Sequence, residues 1–414
     1  MEVKIIPSAL CGEVQIPPSK SAAHRALICA ALAKGENRVT PFCTSDDIKA
    51  TARCLRELGM TVKEDKNGYT VGRSQTAKTA ALDFGESGST ARFLLPVAAA
   101  LGVNAELTGS GRLPERPLSV LTNLLEMHGV SVSSDRLPLN LNGKLTGGDF
   151  SLPGNVSSQF ISGLLLAAPL ISDDVRIHLT TEMQSVGYID MTVEAMKKQG
   201  VTVVETTTGY MVSKESEYRP SDTVIEGDWS QAAFFMSAAA IGSDIKIKGL
   251  NFASNQGDMA ALDVFAAFGA QISIEDDVLH IKRGTLHGIE VNAANIPDMV
   301  PAIAATAAFA KGKTVIHSAE RLRLKESDRI KTTIAALNAM GVKTEEKPDG
   351  MVIYGTGKVT GGKIDGANDH RIVMAFSIAA AFASGESEIM SAEAINKSYP
   401  EFFKDFVKLG GNVV

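Results

Sequence analysis

Lys20, Lys325 and Lys397 each stand close to where the sequence pattern predicts a helix to begin. The positive end of the helix dipole disfavours a cation there. An anion held between the lysine and the helix end removes the conflict, because the unpaired N–H groups of a helix N-terminus attract anions. Polar openings precede the apolar helical stretches throughout the chain. Pro18-Ser19-Lys20-Ser21 leads into a helix carrying Arg25, and Glu86-Ser87-Gly88-Ser89-Thr90 into one carrying Arg92. Ser157-Ser158-Gln159, Asp298 and Asn368-Asp369-His370-Arg371 open three more. The more polar helices add Arg116, Ser185, Lys397 and the run Lys325-Glu326-Ser327-Asp328-Arg329. Serine and aspartate cap helices with no function at all, and a charged run also reads as a solvated helix start. The gathered cations favour the other reading, a site for small phosphorylated or carboxylated substrates.

Nucleotide loops are missing. Gly312-Lys313-Thr314 has Ala307 where a phosphate loop needs glycine, and Gly109-Ser110-Gly111 is followed by Pro114. No metal is expected, since no His/Asp/Glu cluster has metal-ligand spacing.

The elements that must position these residues repeat. Gly59, Gly129, Gly200, Gly269, Gly341 and Gly410 each follow an amphipathic helical stretch and precede a β-like segment, at intervals of 70, 71, 69, 72 and 69 residues. Glycine suits a place where the chain leaves a helix with positive φ. A second series interleaves with it: the Ala-rich stretches LICAALAKG, LLPVAAALG, LLLAAPLIS, FMSAAAIGS, IAATAAFAKG and FSIAAAFASG. Helices apolar on most faces are buried helices. The reading is therefore α/β: six copies of a unit with one buried and one half-exposed helix, arranged as two similar lobes of three units. The boundary falls near Glu226-Gly227-Asp228.

The chain has 414 residues, 44% apolar and 21% charged, with net charge -6. That length suits two or three domains with large cores, and the charge argues against nonspecific nucleic-acid binding. Cys11, Cys29, Cys43 and Cys54 form no C-x-x-C pair, so thiols in a reducing compartment are expected. The N-terminus lacks a signal-peptide core, and no apolar run approaches a membrane span. A cytoplasmic protein, independent of nucleic acid and membrane, is expected.

The stretches PPSKSAAHRAL, TSDD, GSTAR, RLPERP, SSQFISGLLL, GYID, EGDWS, QGD, IPD, RLKESDR, NDHRIVMAF and NKSYPEFF run in order along essentially the whole chain. Together they resemble the EPSP synthase family of enolpyruvyl transferases. The resemblance implies two lobes of three βαβαββ-type units, an inside-out α/β barrel, with residues 19-226 in one lobe and 1-18 plus 227-414 in the other. It implies transfer of the enolpyruvyl group of phosphoenolpyruvate to the 5-hydroxyl of shikimate 3-phosphate, on the route to chorismate and the aromatic amino acids. A monomer without cofactor is implied, with the site between the lobes.

Residue roles follow from the resemblance. Lys20, Ser21, Arg25, Ser157, Ser158, Gln159, Ser185, Tyr188, Asp298 and Lys325 are implied to bind shikimate 3-phosphate. Lys20, Gly88, Arg116, Gln159, Arg329, Arg371 and Lys397 are implied to bind phosphoenolpyruvate. Asp298 would hold and deprotonate the attacking hydroxyl, Glu326 would protonate the methylene carbon, and Lys20 would join them in catalysis. Gly88 leaves room for the inhibitor glyphosate. Two positions depart from the family: Glu86, where many members have Asn, and Arg321, where some place an Asn contact. A sister family, the UDP-N-acetylglucosamine enolpyruvyl transferases, usually carries a Cys where this chain has Gly111 and lacks the KESDR and NDHR pairings. A nucleic-acid-gripping ring would line its inner helices with Lys and Arg; here they are Ala, Leu and Ile.

Overall fold

The computed structural model describes residues 1–414. Twelve α-helices alternate in burial along the chain. The odd-numbered ones, α1 (Lys20–Leu32), α3 (Gly88–Leu101), α5 (Ser158–Ala167), α7 (Trp229–Ile241), α9 (Val300–Phe309) and α11 (His370–Ala381), are buried along most or all of their length. The even-numbered ones, α2 (Asp46–Glu57), α4 (Ser119–Met127), α6 (Val186–Lys198), α8 (Ala261–Phe268), α10 (Arg329–Ala339) and α12 (Phe402–Lys408), keep one face in water. The odd series contains the Ala-rich stretches, and their small side chains allow close packing. A Cβ at Gly163 on α5 would collide with the Arg92 carbonyl of α3 and meet Pro96 Cγ at 3.0 Å.

Six four-stranded sheets cover these helices, and all six share one topology. In the sheet of Thr79–Asp83, Asn104–Thr108, Val130–Val132 and Leu139–Gly143, the first two strands pair in parallel and the other contacts are antiparallel. With α3 and α4 between them, these strands make a βαβαββ unit. The parallel pair demands a crossover, which the buried helix supplies. The six glycines of the sequence repeat occupy equivalent places after the even-numbered helices, with φ between 77 and 102°. Only glycine takes that region without strain.

Strands distant in sequence complete three sheets. Thr223–Val224 pairs with Val39–Thr40, closing the first repeat. Cys11–Gln15 pairs in parallel with Asp244–Lys248. Glu2–Ile6 pairs with Ser387–Met390 and Asn412–Val413, completing the last. The chain divides into a unit of Pro18–Ile225 and a unit of Met1–Pro17 with Glu226–Val414, hereafter the first and second units. Each has its own hydrophobic core. Cys29, Cys43 and Cys54 are buried thiols and Cys11 is exposed. No helix is long and apolar enough to cross a membrane.

Candidate active-site residues

In the first unit the serines before the buried helices act as caps. Ser19 Oγ accepts from Ala22 N, Ser87 Oγ from Thr90 N and Ser157 Oγ from Gln159 N. Lys20 sits on the first turn of α1, and its Nζ donates to Asp47 Oδ2 at 2.7 Å. Asp47, within the TSDD stretch and 8% exposed, is the carboxylate that reconciles this lysine with the helix dipole.

Arg25 is buried and fastens α1 to α5 and α6. Its Nε donates to Thr192 Oγ1 at 2.7 Å, Nη1 to the Ser21 carbonyl and Nη2 to the Tyr188 carbonyl, both at 2.8 Å. The guanidinium also lies 4.9 Å over the Phe93 ring. Burial lowers it to about 10, so it stays charged at neutral pH. Ser185 precedes α6 with φ 57°, a left-handed position, and is 2% exposed.

Two guanidiniums converge on Gly88 at the start of α3. A Cβ there would lie 2.6 Å from Arg92 Nη1 and 2.7 Å from Arg116 Nη1. Arg92 also donates to Gln159 Oε1 at 3.2 Å, and Gln159 Nε2 donates to Ser89 Oγ at 2.9 Å. Gly88, Arg116 and Gln159 therefore lie together, with Arg92 linking them. Glu86 leans over Gly111, where an added Cβ would strike its carboxylate.

In the second unit the site residues form one ion-pair network around Arg329, which is 1% exposed. Nε of Arg329 donates to Asp369 Oδ2 at 2.8 Å, Nη1 to Asp298 Oδ1 at 3.0 Å and Nη2 to Glu326 Oε2 at 2.6 Å. Arg371 Nη2 reaches Asp298 Oδ2 at 2.9 Å and Ser230 Oγ at 3.1 Å. Lys325 Nζ stands 3.5 Å from Asp298 Oδ1. Burial alone pushes the Asp298 carboxyl up, but Arg371, Lys325 and Arg329 outweigh it and hold the group well below the usual carboxylate range.

Asp369 is fully buried. It caps α11 by accepting from Arg371 N at 3.0 Å, and also accepts from Ser327 Oγ at 3.0 Å. One carboxylate thus fixes the Arg329 side chain and the Arg371 backbone. Asp228 caps α7 and accepts from Ser230 Oγ at 2.5 Å. Lys397 Nζ donates to the Asn368 carbonyl at 2.5 Å, which ties it to the start of α11.

Lys325 and Lys397 stand near helix starts rather than on them, four residues before α10 and five before α12. Lys325 ends the 3-10 turn Glu320–Leu324, and Lys397 closes the 3-10 turn Ala392–Lys397, so neither begins a helix. A 3-10 turn leaves its last carbonyls open, and Lys397 finds a carbonyl in the neighbouring segment instead. Arg321 donates to the Ala294 carbonyl at 2.6 Å. Asp47, Arg92, Asp228, Ser230 and Asp369 were not singled out as site residues, although each lies within one of the short polar motifs.

Comparison with known proteins agrees along the whole chain. A family model described as EPSP synthase (3-phosphoshikimate 1-carboxyvinyltransferase) matches residues 5–406. A 3-phosphoshikimate 1-carboxyvinyltransferase of Clostridium novyi (strain NT) is 41% identical, over 99% of this chain and 97% of the relative. One from Clostridium perfringens is 40% identical, over 99% of this chain and 98% of the relative. Among solved structures, EPSP synthase from Acinetobacter baumannii superposes with TM-score 0.84 at 28% identity, covering 100% of this chain and 99% of the other. The enolpyruvyl transferase NikO from Streptomyces tendae has the same fold, with TM-score 0.80 at 18% identity over 100% of this chain and 98% of its own.

Proposed function

The chain belongs to the EPSP synthase family, and from that premise we propose how its residues share the work. The reaction transfers the enolpyruvyl group of phosphoenolpyruvate to the 5-hydroxyl of shikimate 3-phosphate and releases phosphate, a step toward chorismate and the aromatic amino acids. Lys20, Ser21, Arg25, Ser157, Ser158, Gln159, Ser185, Tyr188, Asp298 and Lys325 bind shikimate 3-phosphate. Lys20, Gly88, Arg116, Gln159, Arg329, Arg371 and Lys397 bind phosphoenolpyruvate. The substrates bring two phosphates and two carboxylates, and arginine suits bidentate contact with both kinds of group. The enzyme acts as a monomer in the cytoplasm.

Glu326 delivers a proton to the methylene carbon, which leaves the adjacent carbon electron-poor. The 5-hydroxyl oxygen attacks that carbon while Asp298 takes its proton. The resulting tetrahedral intermediate loses phosphate, and a proton leaves the new methyl group to restore the double bond. Such chemistry needs an acid and a base held apart in proton affinity. Lys20, steadied by Asp47, offsets charge on the anions as they react. The observation that carries this reading is that Asp298 and Glu326 both lie on the single buried guanidinium of Arg329.

The test is phosphate release by the purified protein with phosphoenolpyruvate and shikimate 3-phosphate, beside UDP-N-acetylglucosamine as acceptor. Release with shikimate 3-phosphate alone is expected, falling about 10²–10⁴-fold in Glu326→Ala. Release with the nucleotide sugar alone would overturn the reading.

A further inference from the structure

Asp298 holds, with its two carboxylate oxygens, cations that the proposed reaction needs for phosphoenolpyruvate. Oδ1 accepts from Arg329 Nη1 at 3.0 Å, and Oδ2 from Arg371 Nη2 at 2.9 Å. Lys325 Nζ faces Oδ1 at 3.5 Å, and Glu326 shares Arg329 from the other side. We infer that Asp298 and phosphoenolpyruvate compete for Arg371 and Arg329, so that the arriving substrate withdraws cations from the base that must take the hydroxyl proton. This rests on the assignment of Asp298, Arg329 and Arg371 under Proposed function.

A guanidinium N–H directed at one carboxylate cannot serve a second with the same geometry. The arginines cannot follow Asp298 if it moves, because other groups hold them from behind. Arg329 is tied through Nε to Asp369, which is 0% exposed. Arg371 is tied through Nη2 to Ser230 Oγ, itself held by Asp228. The Asp298 side chain, 17% exposed, is the accessible partner that the two arginines share, while Glu326, equally exposed, reaches Arg329 alone.

The consequence is a base that is armed by its co-substrate. A carboxylate held by three cations accepts a proton poorly. When the carboxylate or phosphate of phosphoenolpyruvate takes up two of those cations, the surrounding charge that suppressed proton uptake falls. The hydroxyl is then deprotonated only when the carbon it must attack is present.

Calorimetric titration with phosphoenolpyruvate alone, with no acceptor to react, tests the competition. The proteins are the wild type, Asp298→Asn, Asp298→Ala, and Glu388→Gln as a control for net charge; Glu388 pairs with Lys363 on the surface. Both Asp298 variants are expected to bind phosphoenolpyruvate at least about tenfold more tightly than the wild type, although their turnover collapses, while Glu388→Gln is unchanged. A merely structural role for Asp298 would weaken binding instead. Equal or weaker affinity in the Asp298 variants, including no measurable heat from any of the proteins, overturns the inference. So does equal tightening in Glu388→Gln. Failure of the underlying assignment is distinguishable, because wild-type protein would then release no phosphate from the two substrates, or would release it as fast in Asp298→Ala.

Discussion

The two units start their buried helices differently. In the first unit the caps of α1, α3 and α5 are Ser19, Ser87 and Ser157. In the second, α7 and α11 are capped by Asp228 and Asp369, and Asp298 lies in the 3-10 turn that runs into α9. A serine satisfies one backbone N–H and leaves the positive field of the helix end in place. An aspartate satisfies the N–H and neutralises the field. The serine-capped ends therefore remain attractive to a substrate anion. Arginines reach both kinds of end, but Arg92 and Arg116 meet no carboxylate from the Ser87 cap of α3, whereas Arg329 and Arg371 are ion-paired to Asp369 and Asp298. One fold repeat thus carries two kinds of site, one suited to anchoring phosphate and one suited to moving protons. The first unit does have a matching carboxylate, Asp47, but it lies in the first turn of the half-exposed helix α2 and pairs with Lys20 rather than capping a buried helix.

Exchanging the caps is the strongest way to break this comparison. Asp369→Ser keeps a helix cap but strips the buried Arg329 of its side-on partner. Removing one member of a buried pair costs about 3–5 kcal/mol, so denaturant unfolding should show a loss of that order. A loss under about 1 kcal/mol, the scale of an ordinary cap change, would mean that the aspartate is only a cap. The reciprocal Ser157→Asp should fold as well as the wild type, since both residues cap well. It should raise the KM for shikimate 3-phosphate about a hundredfold by placing like charges together, with a smaller effect on the KM for phosphoenolpyruvate. Equal effects on both substrates would remove the distinction between the units.

Gly88 sharpens the picture within the first unit. In Gly88→Ala the new methyl group meets the ends of Arg92 and Arg116 at 2.6 and 2.7 Å, and both guanidiniums must shift. Displacements of a few tenths of an ångström at a binding cation should raise the KM for phosphoenolpyruvate about tenfold. The wild type should be inhibited by millimolar glyphosate at low phosphoenolpyruvate, and the variant less so. An unchanged KM would show that Arg116 does not meet that substrate.

The repeat was legible in the sequence because it is local. Six glycines after amphipathic helices needed positive φ, and each of them has it. Six small-residue helices were too apolar to face water, and they are buried. The family resemblance named residues that come together in one ion-pair network, such as Asp298, Glu326, Arg329 and Arg371. What stayed hidden was which side chain answers which. Asp369 meets Arg329 across 40 residues, Asp47 meets Lys20 across 27, and Ser230 meets Arg371 across 141. A helical period shows which face of its own helix a residue occupies. Those partnerships depend instead on which repeats adjoin, and nothing in a single helix records that.

Acid should distinguish the units with the smallest effect of the four. His24 on α1 is fully buried, with Nδ1 against Thr51 Oγ1 at 2.8 Å and Nε2 without a hydrogen-bond partner. Burial, aided by the charges of Lys20 and Arg25, holds it well below its ordinary 6.5. The folded first unit therefore keeps this imidazole neutral, while the unfolded chain begins to protonate it near pH 6.5. Stability present above that pH is lost as pH falls toward the folded value, at a limiting rate of about 1.4 kcal/mol per pH unit. Asp298 in the second unit also has a lowered proton affinity, but its unfolded reference is 3.8, so its contribution is retained throughout the same range. Between pH 6.5 and 5, hydrogen exchange should then quicken in the core of the first unit, and His24→Asn should flatten the dependence there. Parallel loss of protection in both units, unaltered by the substitution, would show that His24 does not set the acid limit of the first unit.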